Sequence, residues 1–372
     1  MGVLLVCVCA SEKTIIPGIR DYESPDSQNY GINNAMHKKI HERFICPVGH
    51  GGFSVEIIED YVVVYDCGST SSPQMVESCI DKLALHVNHV DLLFISHFDK
   101  DHVNTLRYLL SSVTVRRAVT SLIPKELKWC YNVYTKGAYM AIMNLLAEYN
   151  VESGEYQENE VEEERFQYGD IWEWISKSMM TQKEIASVKA KLPPAGIDIK
   201  QIENPNYVER EKEAINNVFK DVFGGKGPNA KGLIMLSQHC KGVETLSSLI
   251  VRGCVMHHPF NLISDSDESS CLYVGDADLV NRTNNKAAQA FLQTYRSEGI
   301  LQLMQIPHHG SRYNVGVNFE QDYLARYYFL NDRTTDRLQK NINLFKSLMT
   351  NKKLLVARDV CGDLIYTETR IK

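Results

Sequence analysis

Four β-like runs in this 372-residue chain end in side chains of one chemical kind, and this recurrence narrows the folds open to it. "VVVYDCGS" ends in Asp66. "DLLFIS" leads into "HFDKDH", which places His97, Asp99, Asp101 and His102 within six positions. "CLYVGDAD" carries Asp276, and "LQLMQIPHHGS" ends in His308 and His309. Each piece has a bland reading: a charged loop for "HFDKDH", a turn aspartate in "GDAD", a structural pair for the two histidines. Their joint occurrence, each behind a strand-like run, is hard to obtain by accident. Sheet-based enzymes gather chemistry at strand ends, where rigid elements aim side chains into one crevice. Imidazole and carboxylate together suit Zn²⁺, Mn²⁺ or Fe, and the carboxylate share leans towards harder ions. The pattern points to a metal site.

The rest of the chain reads as strands with helices between them, which predicts an α/β layered fold. "GGFSVEII" and "YVVVYD", separated by "EDY", read as a hairpin. "PQMVESCIDKLALH" and "VNTLRYLL" have helical spacing, whereas "DLLFIS" is a continuous apolar run typical of a strand covered on both faces. Strand-like runs resume at "GLIMLS", "LIVRGCV", "CLYVGD" and "LQLMQIP", and the C-terminal part adds "RYYFL", "KLLVAR" and "DLIYTET". Residues 1–40, rich in turn formers, read as a peripheral segment, and residues 41–372 as the domain proper. Between about 125 and 229 the character changes. "AYMAIMNLLAEY", "IWEWISKSMM" and "REKEAINNVFKDVF" look helical, and "VESGEYQENEVEEER" is acidic, so this block reads as a mostly helical acidic insertion.

Net charge is −6, which argues against a general polyanion-coating surface. No apolar run approaches a membrane span, so no membrane association is expected. "MGVLLVCVCA" has no preceding Lys or Arg and no clear cleavage site, so no secretory signal is expected. The ten cysteines form no C-x-x-C pair, and reduced thiols in a cytoplasm are the expectation.

On the residues just quoted, with "VGHGGFSVEI" and "GDLIYTET", the chain resembles metallo-β-lactamase-fold hydrolases, and most of all the soluble hydrolase domain of ComEC competence proteins. The resemblance covers roughly residues 44–118 and 230 to the end; the insertion has no counterpart in it. It implies an αββα sandwich holding two divalent metal ions, Zn²⁺ first and Mn²⁺ second. Here Asp99 stands where most relatives carry a second histidine. The resemblance puts His97 and Asp99 on one ion and Asp101 and His102 on the other, with Asp276 bridging both. His308, which follows the strand most closely, completes the second site. His309, Ser311 and Arg312 then face substrate or support the ligands, and Asp66 orients a ligand histidine. Many members supply a further histidine, for which His239, His257 and His258 are the candidates. Asp101 is the catalytic carboxylate, orienting the attacking water and receiving its proton. The implied reaction is hydrolysis, most simply of a phosphodiester in nucleic acid or a nucleotide. A hydrolase of another small ester, amide or thioester, and a non-enzymatic member with structural metals, are the alternatives. The insertion is expected to cover the cleft or bind a protein partner.

Overall fold

The computed structural model describes residues 40–121, 123–153, 163–225, 231–252, 260–266, 269–296, 300–332, 342–351, 353–358 and 364–371. Two sheets face each other. The first contains β1 (Ile40–Ile45), β2 (Gly51–Ile58), β3 (Tyr61–Ser69), β4 (His89–Phe94), β5 (Thr114–Val119) and β6 (Glu152–Ser153). It is completed by β10 (Thr245–Arg252), β11 (Phe260–Ser266) and β16 (Leu364–Ile371), in the order β11-β10-β16-β1-β2-β3-β4-β5-β6. The second contains β7 (Glu163–Tyr168), β8 (Trp172–Ser178), β9 (Leu233–His239), β12 (Cys271–Tyr273), β13 (Leu301–Gln305), β14 (Ala325–Asp332) and β15 (Leu354–Arg358), ordered β15-β14-β13-β12-β9-β8-β7.

The two-residue period of the strands sorts their side chains between layers. Val63 and Tyr65 of β3 point into the core between the sheets, with Trp172, Trp174, Met235 and Phe329 of the second sheet. Val62 and Val64 point outwards against the helix Pro73–Ala84 through Val76 and Ile80. On the far side Ile234 and Leu236 pack under the helix Arg282–Tyr295 through Ala288 and Phe291. The result is an αββα sandwich, as expected. The hairpin joins β2 to β3 in antiparallel register from Ile58↔Tyr61 onwards.

The expectation for "IWEWISKSMM" was wrong. Residues Trp172–Ser178 form β8, antiparallel to both β7 and β9, with Trp172 and Trp174 wholly buried between the sheets. A short apolar run fits a helical and a strand period about equally, and here the alternating tryptophans decided for the strand. The block from 125 to 229 is helical in Lys128–Tyr134, Ala138–Glu148, Gln182–Lys191, Pro205–Arg210 and Lys212–Val222, but it also contributes β6, β7 and β8 to the sheets. Residues 1–39, and 154–162 of the acidic stretch, lie outside the described residues.

One charged cluster sits inside the sandwich. The Glu56 carboxylate on β2 accepts hydrogen bonds from Arg43 Nε (2.7 Å) and His41 Nε2 (3.0 Å) of β1. It also accepts from Trp174 Nε1 (2.7 Å), Ser237 Oγ (2.5 Å) and Tyr273 Oη (2.8 Å) of the opposite sheet. Burial pushes Glu56 up, but Arg43 and the hydrogen bond from His41 outweigh it and hold the carboxyl far below its usual range. Burial lowers His41 from 6.5 to about 4.

Glu56→Gln leaves the buried Arg43 guanidinium without its counter-charge and should cost about 3–5 kcal/mol in chemical denaturation. The pH dependence has a definite sign. His41 is depressed in the fold, so the unfolded chain binds its proton first. Stability should therefore fall as pH drops from 6.5 towards about 4. Glu56, also depressed, should add to the loss as pH falls below the ordinary carboxylate range. Unfolding midpoints flat between neutral pH and about 4 would contradict this network.

Candidate metal centre

The site is assembled from strand ends and held by backbone geometry that few residues tolerate. Asp66, near the end of β3, has a left-handed φ of 59°, which aspartate tolerates better than most residues. So turned, its Oδ1 accepts the Ser96 amide (2.8 Å). Its Oδ2 accepts the Ser96 hydroxyl (2.8 Å) and lies 2.7 Å from His102 Nδ1. Such a carboxylate fixes the tautomer and aim of the imidazole, leaving Nε2 to face the centre. Ser96 Oγ also reaches His97 Nδ1 at 2.9 Å, so one hydroxyl and one carboxylate orient both histidines. Gly52 is required here: a Cβ would lie 2.8 Å from Asp66 Cβ and 3.2 Å from His102 Nδ1.

The second sheet supplies the other half. Gln305 Oε1 accepts the amides of Val274 and Gly275, and Asn314 Nδ2 donates to the Asp276 carbonyl (2.9 Å), pinning the loop that carries Asp276. Gly275 has a φ of 51° and a Cβ there would meet Ser96 at 2.7 Å, so the two half-sites approach through a glycine. His308 and His309 have φ values of 49° and 51° in succession. Strain of that kind, of order 1–3 kcal/mol per residue, collects at functional sites.

The side chains converge on Asp276. Its Oδ2 is 3.6 Å from His97 Nε2 and 3.5 Å from His308 Nδ1, while its Oδ1 is 3.4 Å from His102 Nε2. Asp101 Oδ2 lies 3.7 Å from His102 Nε2 and 3.3 Å from His309 Nε2. His97, Asp101 and His102 form one set of potential ligands within 4.8 Å of one another, and His102, Asp276 and His309 form another. His97 Nε2, His102 Nε2 and Asp276 Oδ1 are buried and have no hydrogen-bond partner. Buried polar atoms left in that state cost about 1–3 kcal/mol each. With both nitrogens within 3.6 Å of the Asp276 carboxylate they fit a bound cation, and the nitrogen and oxygen donors fit a divalent metal.

Within the protein's own side chains the charges of the site shift one another strongly. Burial raises Asp276, but His97 and His102 outweigh it and hold it far below the carboxylate range. Burial likewise raises Asp101, and the hydrogen bond with His309 and the charge of His102 outweigh it. His102 is held well above its ordinary value: burial lowers it, but Asp66 and Asp276 prevail. His97 stays low through burial and through its neighbour His102.

Two placements differ from the sequence reading. His308 was expected beside Asp101 and His102. The geometry puts His309 there, its Nδ1 2.8 Å from the Asn331 carbonyl, and puts His308 on the His97 side of Asp276. Two consecutive left-handed residues turn neighbouring side chains to opposite sides of the carboxylate, which distance along the strand could not reveal. Asp99 enters neither ligand set, although its charge is felt at His97. Ser311 is half-buried and Arg312 exposed, in the turn that follows His309. The His239 ring turns to the Cys240 carbonyl (3.2 Å) and joins neither set; His257 and His258 lie outside the described residues. Sequence reasoning assigned nothing to Ser96 or His50, although His50 sits in the "VGHGG" turn, 5.6 Å from the His309 ring.

Protein loaded with Zn²⁺ and desalted should retain two ions per chain by elemental analysis, and His309→Ala should retain about one. A wild type that keeps no metal after loading would remove the basis for this centre.

Residues 49–174 match the family model of the Metallo-beta-lactamase superfamily. No curated protein matches the chain significantly. Among solved structures it is similar to the metallo-beta-lactamase fold protein YhfI from Bacillus subtilis, at 9% identity and a TM-score of 0.40, over 87% of this chain and 98% of that one. It is also similar to the metallo-beta-lactamase GOB-18 from Elizabethkingia meningoseptica, at 8% identity and a TM-score of 0.31, over 83% and 92% of the two chains. A Cronobacter sakazakii metallo-beta-lactamase with a HARLDQ motif is similar at 8% identity and a TM-score of 0.31, over 81% and 89%. The span that matches this superfamily's model contains Asp66 and the whole His97–His102 loop.

Proposed function

We propose that this protein is a dinuclear-metal-dependent hydrolase acting as a phosphodiesterase on nucleic acid or nucleotides, related in its motifs to the soluble domain of ComEC proteins. One observation carries the reading: the buried Asp276 carboxylate faces two histidines with one oxygen and a third histidine with the other. Divalent ions bound there supply positive charge that lowers the pKa of water and offsets charge developing on the substrate. Zn²⁺ is the first expectation and Mn²⁺ the second.

The chain's own residues then have distinct tasks. Asp66 and Ser96 hold His97 and His102 in the required tautomers. Asp101, at 22% exposure the most open of these carboxylates, orients the attacking water and takes its proton. As the water oxygen bonds to phosphorus, the bond to the leaving oxygen breaks. The exposed Arg312 offers a cation to phosphate oxygens. A net charge of −6 favours compact, nucleotide-sized substrates over long polymer. The six described cysteines are free and buried, which suits a reducing cytoplasm, and no helix among the described residues is long and apolar enough to cross a membrane.

The insertion touches the metal loop: the Phe98 ring, between His97 and Asp99, packs edge-on against Tyr139 (5.4 Å) and Tyr131 (6.3 Å). A protein partner bound through the insertion would act on the centre along that contact.

Asp276→Asn keeps shape but removes the charge that faces both sides of the centre. Turnover of bis(p-nitrophenyl) phosphate should fall at least about a hundredfold, the scale seen when a key electrostatic group is lost. Asp278 Oδ1 instead accepts the amides of Val280 and Asn281 (both 3.2 Å), a task an asparagine oxygen also performs. Asp278→Asn should therefore retain most activity. The reverse pattern would mean that the strand end has been misread, and inactivity of metal-loaded wild type on all phosphodiesters would point to another hydrolase class.

A further inference from the structure

We propose that His50 is an additional substrate-contacting residue, held for that task by Asp332; the assignment rests on the phosphodiesterase reading above. His50 lies in the glycine turn between β1 and β2. Its ring Nε2 is 2.7 Å from Asp332 Oδ1, and Asp332 is fully buried while the His50 side chain is 28% exposed. The ring stands 5.6 Å from that of His309, at the edge of the centre. The end of β14 thus serves two imidazoles with consecutive residues: the Asn331 carbonyl sets His309 (2.8 Å) and the Asp332 carboxylate sets His50.

The blander role would be a clamp fastening the glycine turn to β14. That turn is already fastened. Asn331 Nδ2 donates to the Cys46 carbonyl (3.0 Å), the His50 amide donates to Ser71 Oγ (2.8 Å), and the Thr70 amide donates to the His50 carbonyl (2.9 Å). The imidazole is not needed for that purpose. With Nε2 engaged by Asp332, Nδ1 is the ring nitrogen left for a ligand. A partly exposed ring tied to a buried carboxylate, 5.6 Å from the ring of His309, suits an oxygen of a bound phosphodiester.

The test uses full-length Zn²⁺-loaded protein and two probes, inorganic phosphate binding by calorimetry and bis(p-nitrophenyl) phosphate turnover. His50→Ala should lower kcat/KM at least about tenfold, a loss of roughly 1.4 kcal/mol. It should weaken phosphate binding several-fold with zinc content unchanged, while Tm falls modestly because buried Asp332 loses a partner. His50→Gln, which keeps a hydrogen-bonding group, should lose less, and Asp332→Asn should shift both readings in the same direction. Unchanged binding and turnover would overturn the proposal. So would a loss matched by lost zinc or restored by added zinc, since His50 would then only support His309. If wild type binds phosphate in a His50-dependent way yet turns over no phosphodiester, the phosphodiesterase reading fails and His50 stands as an oxyanion contact. Neither binding nor turnover in wild type would overturn both.

Discussion

A carboxylate cannot stay charged inside a dry sandwich unless its partners surround it, and Glu56 draws those partners from both sheets. Arg43 and His41 reach it from the first sheet, and Trp174, Ser237 and Tyr273 from the second. Apolar packing between sheets tolerates sliding, because a displaced methyl group finds other carbon. A hydrogen-bonded charge does not, since each lost partner leaves a buried polar group unsatisfied. The hub therefore fixes how the first sheet lies against the second. The functional consequence follows directly, because the centre is divided between them. Asp66, His97, Asp101 and His102 come from the first sheet's strand ends, while Asp276, His308 and His309 come from the second's.

The centre is locally costly. It contains left-handed backbone at Asp66, His308 and His309, close backbone approaches that exclude a Cβ at Gly52 and Gly275, and buried nitrogens that lack hydrogen bonds. None of this would persist in an isolated loop. It is sustained by the layers around it, where each fully buried large apolar side chain contributes about 1.5–3 kcal/mol. The insertion adds to the support, since Tyr131 and Tyr139 hold Phe98 in the middle of the metal loop.

Much of this was legible beforehand. The hairpin of β2 and β3, the buried strand β4 and the strand ends carrying Asp66, His97, Asp276 and the histidine pair follow from local alternation and from residue chemistry. "IWEWISKSMM" was misread because seven residues with two tryptophans fit both periods until a neighbouring strand is known. His50 was passed over because its partner, Asp332, is 282 residues away, and no local signal links them.

The sequence by itself determined which chemical groups exist at strand ends, and hence that a metal centre in a layered α/β fold was the reading to test. Periodicity and side-chain chemistry are local properties, and they survive without knowledge of the fold. Tertiary structure alone decided which histidine faces which oxygen of Asp276, that Ser96 orients two rings at once, and that His50 belongs to the site at all. The arrangement of histidines around Asp276 depends on distances of 3.4–3.6 Å between segments far apart in the chain, and the packing of two sheets around a buried charge sets it.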